Sequence, residues 1–428
     1  MTDTTAPALI DWSSSEANSR RRKRHAAERR LKYYGLGAIV VAIGLLAVLI
    51  ASLVLNGYKS FVQTMVTLDV TISREYVEPA NVREGNYRLV VRDSLKALFP
   101  DVSGAADDRA LLQILSSNAP FIVQNRVTAD PGLIGRTVSM TIPTSDPFDQ
   151  FNKGVIPRDV PESERRVNDK QVAWFDRLVA EGRVSTPFNW GLFFNADSRL
   201  PEMAGLAGAI VGSFYALLVC FVISFPVGVA AAVYLEEFAP KNRWTDVIEV
   251  NINNLAAVPS VVFGLLGLAV FLQFFGLPRS APIVGGMVLS LITLPTIIIT
   301  TRAALKAVPP SIREAALGIG ASRHEMVMHH VLPLAIPGIL TGTIIGLAHA
   351  LGETAPLLLI GMNAFITSPP GGIFEASTGL PTQIYIWADS PERGFVARTS
   401  AAILVLLMFL ITMNAIAIYL RQRLERTW

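Results

Sequence analysis

His349 and Glu353 lie in an otherwise apolar run, TGTIIGLAHALGETAPLLLIG over residues 341–361. An ionisable side chain inside a membrane span costs ~2.5–3.5 kcal/mol on insertion scales, and such residues mark a solute path or a buried pair. Four residues apart, the two share one helical face. Gly338, Gly342 and Gly346 continue that face, and their missing side chains let another backbone approach, so the spacing directs His349 and Glu353 inward. Three roles stay open: an internal pair, a pair between Glu353 and an Arg or Lys of another subunit, or contact with a solute. A carboxylate repels an anion, so Glu353 suits the organising of a cation better than the binding of an anion, and His349 supplies a cation only when protonated. Asn251, Asn253 and Asn254, with Glu249, bring further polar groups into an apolar run. They either line a path or hydrogen-bond between helices.

Other chemistry is not written into the chain. In HEMVMHH, residues 324–330, a zinc-protease helix would need His at the first and fifth positions, but Met328 takes the fifth. His324 and His329 are five apart and leave the shared face, so no metal site is expected. No G-x-x-x-x-G-K-[ST] loop occurs, so the chain holds no nucleotide by that device, and no bound cofactor is expected. The one cysteine, Cys220, lies inside an apolar run and excludes an intrachain disulfide. No nucleophile, metal set or cofactor loop points to a membrane enzyme.

The elements that must position these residues are membrane spans. With 51% hydrophobic residues and a mean hydropathy of +0.43, this is an integral membrane protein. Apolar runs cover 36–55, 204–234, 247–272, 282–301, 334–360 and 400–420. Ahead of the first, residues 1–32 form a basic tail with Arg20, Arg21, Arg22, Lys23, Arg24, Arg29, Arg30 and Lys32, and no cleavable signal is visible. Charge beside an anchor at 33–55 reads as a topology signal rather than a nucleic-acid contact, and it keeps the tail in the cytoplasm. Six spans then return Lys241, Arg243, Arg302, Lys306, Arg313 and Arg323 to the cytoplasm, together with the tail 421–428. The outward loops carry only Arg279, Arg393 and Arg398.

Residues 56–203 are soluble in composition and follow one span, so they face outward as a small α+β domain. Alternation from Val62 to Ile72 and a run at 136–142 read as strands; 87–99, 109–122 and 172–179 read as helices. The carboxylates are scattered among basic residues as on a solvated face. The domain acts as a spacer or as a docking surface for a binding protein or partner permease. Phe188, Trp190, Phe193 and Phe194 form an interfacial belt where the membrane is re-entered at about residue 204.

Between the fourth and fifth spans, residues 310–333 read PSIREAALGIGASRHEMVMHHVLP. Ser311 with Glu314, and Ser322 with Glu325, have capping-box spacing, and Gly318 and Gly320 separate them, giving two short helices with a bend. An elbow of this kind suits insertion into a groove on a soluble partner. Glu314, Ala315, Ala316, Gly320, Leu332 and Pro333 resemble the EAA coupling loop of importer-type ABC permeases, which sits in a cleft of the ATPase subunit. His330 and Val331 stand where that family has an isoleucine two residues before the leucine.

The stretch Gly352–Leu358, GETAPLL, resembles the hallmark of PstA-type phosphate permeases, as do FPVGVAAAVYLEEFAP at 225–240 and LAAVPSVVFGLLGLAVF at 255–271. The resemblance covers residues 204–420 and implies that Gly352, Glu353 and Thr354 lie on the translocation pathway, for which His349, Asn253 and Asn254 are further candidates. Where the family carries an Arg four residues before the Glu, this chain has His349. After Leu294-Pro295 it has Thr296 and isoleucines, with Arg302 only further on, so the cationic side of the path is weak here.

The resemblance implies an all-α polytopic fold of the type I ABC importer kind, with the α+β domain between spans 1 and 2. It also implies a multi-pass chain of a bacterial inner membrane, with both termini cytoplasmic and lipid around it. The partners implied are an ABC ATPase subunit carrying ATP and Mg²⁺, a second and different permease chain, and a periplasmic phosphate-binding protein; nucleic acid is not among them. Import of another oxyanion or solute is the nearest alternative. A membrane-anchored sensor is a second, disfavoured because a sensor needs no ionisable stripe along an inner helix face.

Overall fold

The computed structural model describes residues 15–424, so residues 1–14 of the basic tail and Arg426 of the last lie outside the described residues. The chain divides into two units, residues 1–55 and 56–428. The described residues of the first lie in one helix, α1 (Ser15–Gly57), whose apolar window has no buried side chain. About 20 residues cross a bilayer, so the Arg-rich N-terminal half of α1 lies beyond the hydrocarbon.

The second unit begins with a three-stranded antiparallel sheet of order β2-β1-β3, formed by β1 (Met65–Thr71), β2 (Thr137–Pro143) and β3 (Val184–Ser185). The period-two pattern sets its register: Val66 pairs with Ile142 and Val70 with Val138. Val66, Leu68, Val70 and Ile72 are fully buried. They face α2 (Tyr87–Lys96), α3 (Ala105–Leu112), α4 (Ala119–Ala129), α5 (Asp146–Asn152) and α6 (Asp169–Ala180), whose Leu95, Phe148 and Phe175 complete the core. The single helix expected over 109–122 is a correction: it is the end of α3 and the start of α4. Pro120 lacks an N–H and fits the first turn of a new helix rather than an interior, so the chain turns at residues 113–118. Phe188 stacks on Phe61 and Phe193, while Trp190 and Phe194 stay exposed as a belt beside α7 (Gly191–Phe194).

The solvated-face reading holds for most of the carboxylates, such as Glu75, Asp101 and Glu164, and is corrected at three of them. Asp146, Asp149 and Glu202 are buried together with Lys153 and with Arg398 from the last span. Lys153 Nζ lies 2.5 Å from Asp149 Oδ2 and donates to the Val62 carbonyl at 2.7 Å; Asp149 Oδ1 accepts from the Thr64 amide at 2.8 Å. Ser116 Oγ donates to Glu202 Oε1 at 2.6 Å, and Arg398 Nη1 donates to the Ala204 carbonyl at 2.5 Å. Gly394 rests directly on Asp146, where any Cβ would clash with the carboxylate. The Gly394 contact on Asp146 and the Arg398 bond to the Ala204 carbonyl thus seat the α+β domain on the start of the last span, with opposite charges buried nearby. Burial pushes the Glu202 and Asp146 carboxyls up and the Lys153 ammonium down.

The membrane part runs α8 (Ala207–Val233), α9 (Arg243–Ala256), α10 (Ser260–Leu266), α11 (Pro282–Ala307), α12 (Pro310–Gly318), α13 (Arg323–Glu325), α14 (Leu332–Gly352), α15 (Ala355–Leu359), α16 (Leu380–Ala388) and α17 (Gly394–Leu424). Among the described residues, five helices are long and apolar enough to cross a membrane, or six if one bent pair counts as a span. That pair falls on the span expected over 247–272 and extends it at both ends. Arg243–Ala256 and Ser260–Phe274 meet at 102°, with Pro259 at the break. The span expected over 334–360 is broken too, because α14 ends at Gly352 and Pro356 opens α15.

The buried Glu202 carboxyl gives a pH test. A raised folded-state value means that its contribution is fully present below the ordinary glutamate value of 4.5 and is lost as pH rises through the raised value. Glu202→Gln keeps an acceptor for Ser116 and removes the titration. In detergent-solubilised protein the stability gained by Glu202→Gln over wild type should grow as pH rises through that window; a constant offset across thermal melts from pH 4 to 8 would contradict it.

Candidate functional site

The elbow is built by its prolines. Pro309 and Pro310 occupy the cap and the first position of α12, which leaves Ser311 inside the first turn. The Ser311–Glu314 capping box therefore does not form, a correction to the sequence reading. The Ser322–Glu325 box does form: Ser322 N donates to Glu325 Oε2 at 2.8 Å, and Glu325 N to Ser322 Oγ at 3.2 Å. Gly320 supplies the bend at φ +91°, a backbone angle that side chains resist. The second limb is not a short helix, another correction, since residues Arg323–Gly352 run without interruption into the next span. Pro333 lacks the N–H that an α-turn would need, and the helix widens to a π-turn over Met326–Val331 just before it.

Ala316 is small because it is buried against Leu305, Val308, Met326 and Val327 beneath the elbow. Glu314, Ala315 and Gly320 are exposed; Leu317 and Ile319 join them, Ile319 at 82%. Leu332 and Pro333 are half-buried at the root of α14. The elbow thus offers an apolar tip with an acidic edge on a packed base.

That base carries ions which the sequence reading does not single out. Arg313 Nη2 lies 2.7 Å from Glu237 Oε1, and its Nη1 and Nη2 donate to the Val308 and Leu305 carbonyls at 2.7 and 2.9 Å. Arg302 Nη2 lies 2.7 Å from Glu249 Oε1, and its Nε 3.2 Å from Glu236 Oε2. Two adjacent glutamates at the end of an apolar run are the available signal.

Along α14 the glycine stripe packs on α11. A Cβ on Gly342 would clash with Thr300 Oγ1, and one on Gly338 would sit 2.6 Å from the Ala304 Cβ, but one on Gly346 would meet nothing closer than 3.8 Å. The two helices cross near Gly342 and diverge beyond it. This divergence overturns the inward placement of His349, whose side chain is 64% exposed on this chain. The i,i+4 pair itself forms, with His349 Nε2 3.0 Å from Glu353 Oε1. Glu353 is half-buried and already outside the helix, at ψ 116°, with Thr354 beside it and Gly352 exposed.

Asn253 and Asn254 are exposed on α9 and, among the described residues, bond no other helix, while Asn251 Nδ2 donates to the Val247 carbonyl of its own helix at 2.7 Å. The limbs that follow the two breaks meet: a Cβ on Gly264 of α10 would lie 2.7 Å from Pro356 Cα of α15. Irregular backbone at membrane depth is tolerated where protein covers it or where it lines a cavity. The broken helices and the exposed His349 of the His–Glu pair are the irregular and polar features that this part of the chain presents.

Residues 224–427 match the family described as binding-protein-dependent transport system inner membrane component, and residues 18–162 match a domain of unknown function. A Bacillus subtilis protein named probable ABC transporter permease protein YqgI is 31% identical over 261 residues, covering 57% of this chain and 87% of that protein. The phosphate transport system permease protein PstA of Xylella fastidiosa (strain Temecula1) is 33% identical over 229 residues, covering 53% of this chain and 78% of that protein. Among solved structures, a chain of the inward-facing MetNI methionine ABC transporter aligns at a TM-score of 0.40 and 20% identity, covering 51% of this chain and 97% of that one.

The helix crossing gives the test of this site's scaffold. Gly342→Val should lower the stability of the purified protein by about 1–3 kcal/mol or more through overpacking against Thr300. Gly352→Ala, which meets open space, should leave the melt unchanged. Equal melts for the two variants would contradict the close approach.

Proposed function

We propose, from the premise that this chain belongs to the family of binding-protein-dependent transport system inner membrane components and is a permease of the PstA type, that it forms half of an ATP-driven importer of inorganic phosphate. The observation that carries the substrate is the match to PstA over most of that protein's length. The fold supports the mechanism. A membrane permease of this family works with an ATPase and a binding protein. The elbow, with Glu314, Ala315 and Ala316 in its first helix, Gly320 at its bend and Leu332-Pro333 at its root, enters a cleft of the ATPase, where ATP and Mg²⁺ are held.

The elbow and the tail with Arg421 and Arg423 face the cytoplasm in this reading, and residues 56–203 face the periplasm, where a phosphate-binding protein docks. Both termini are then cytoplasmic in a bacterial inner membrane. His349, Glu353, Thr354 and the exposed Asn253 and Asn254 leave this chain on an open side. A second, different permease chain closes the path, and its residues, with protonated His349, supply the cations that the anion needs. Glu353 holds those cations in place rather than touching phosphate.

Labelled phosphate uptake tests the assignment. Cells lacking the chain should lose high-affinity uptake, wild type should restore it, and Glu353→Gln, at equal membrane abundance, should leave it at least about tenfold slower, as for a buried charge left without its partner. Excess sulfate should not compete. Restoration of sulfate uptake instead would overturn the substrate and leave the permease.

A further inference from the structure

The end of α8 carries a feature that transport by itself does not require. The helix widens to a π-turn over Tyr234–Phe238, and its adjacent carboxylates, Glu236 and Glu237, go to different elements. Consecutive residues of a helix point about 100° apart. Glu237, 7% exposed, takes Arg313 of α12 as a fork, through Nη2 at 2.7 Å and Nε at 3.4 Å. Glu236 takes Arg302 of α11 at 3.2 Å and Lys306 at 3.6 Å, and Arg302 passes on to Glu249 of α9 at 2.7 Å. Arg313 also closes the end of α11, whose last carbonyls find no N–H in Pro309 or Pro310.

We propose that Glu236–Glu237 is the joint through which the elbow moves the spans, with Arg313 and Arg302 as positioning residues that convert elbow displacement into movement of α8, α11 and α9. The inference rests on the permease reading above and assigns its transmission. Apolar side chains under the elbow can slide past one another at little cost. A forked, part-buried ion pair cannot be drawn apart without leaving charge uncompensated, so it behaves as a strut. Three carboxylates meet three cations here, and the net charge is balanced among three spans and the elbow. Such pairs add little net stability against apolar replacements. Their placement at a π-turn, a local widening that recurs at functional sites, fits transmission better than cohesion.

The test uses the whole importer, purified with its ATPase, second permease and binding protein and reconstituted in vesicles, with inorganic phosphate as the probe. Arg313→Ala and Glu237→Ala should assemble and hydrolyse ATP, but ATP consumed per phosphate transported should rise about tenfold, within the usual range of coupling free energies. The exchange Arg313→Glu with Glu237→Arg should return the ratio to within about threefold of wild type. A fall in hydrolysis and uptake together, at an unchanged ratio, would overturn the strut, as would an assembled exchange variant that stays uncoupled. Failure of all three variants to assemble would assign the pairs to cohesion and overturn it as well. Wild-type vesicles that hydrolyse ATP on addition of the binding protein but move no phosphate would instead defeat the substrate reading, and leave the strut to be judged by that stimulated hydrolysis in the variants.

Discussion

Hydrocarbon leaves no polar group unpaired, and the architecture of this chain follows from where it meets that constraint. Each break in a helix and each charge near the membrane has to be covered by another element, by a cavity or by another chain. α15 covers α10 at Pro356 and Gly264, so both broken spans share one packed contact. The His349–Glu353 pair is covered only in part by its own chain. That exposure makes the single chain an incomplete object, and the second permease of the proposed importer answers it.

Charge is used differently at the two ends of α8. At the first, Glu202, Asp146, Asp149, Lys153 and Arg398 are sealed between the α+β domain and α17 and fix one body to another. At the second, Glu236 and Glu237 are also largely buried but reach three elements, one of them the elbow. A sealed cluster resists rearrangement because separation strands a charge in a low dielectric. A cluster that joins a movable element to the spans carries its displacement, because its ion pairs likewise resist being drawn apart. The chain therefore packs its α+β domain rigidly and ties its elbow to the spans by ion pairs.

Much of this is legible in the sequence, for physical reasons. An apolar run of about 20 residues matches the thickness of a bilayer's hydrocarbon and is too long for an ordinary core helix. The period-two pattern of Val66, Leu68, Val70 and Ile72 fixes a sheet face. The elbow can be found because Ser322 and Glu325 state a local hydrogen-bonding pattern. What is not legible depends on contacts across the sequence. Arg398 reads as an outward loop cation, and nothing near it in sequence announces Glu202 or Asp146. The 102° bend at Pro259 has the composition of a kinked span. Periodicity alone turns His349 inward, but it does not tell where a neighbouring helix stops running alongside. At Ser311 the local spacing suggests a cap, yet Pro309 and Pro310 already take that place.

In the proposed importer the elbow is the surface by which an ATPase acts on this chain. Ile319 stands 82% exposed at its tip, and the one native cysteine, Cys220, is buried, so Ile319→Cys gives a single reactive thiol. Cross-linking from that thiol in isolated membranes should join the chain to its ATPase, with a yield that changes when ATP is bound. The same thiol should resist a membrane-impermeant maleimide applied to the periplasmic face. Labelling from the periplasm, without cross-linking to any nucleotide-binding subunit, would contradict the account.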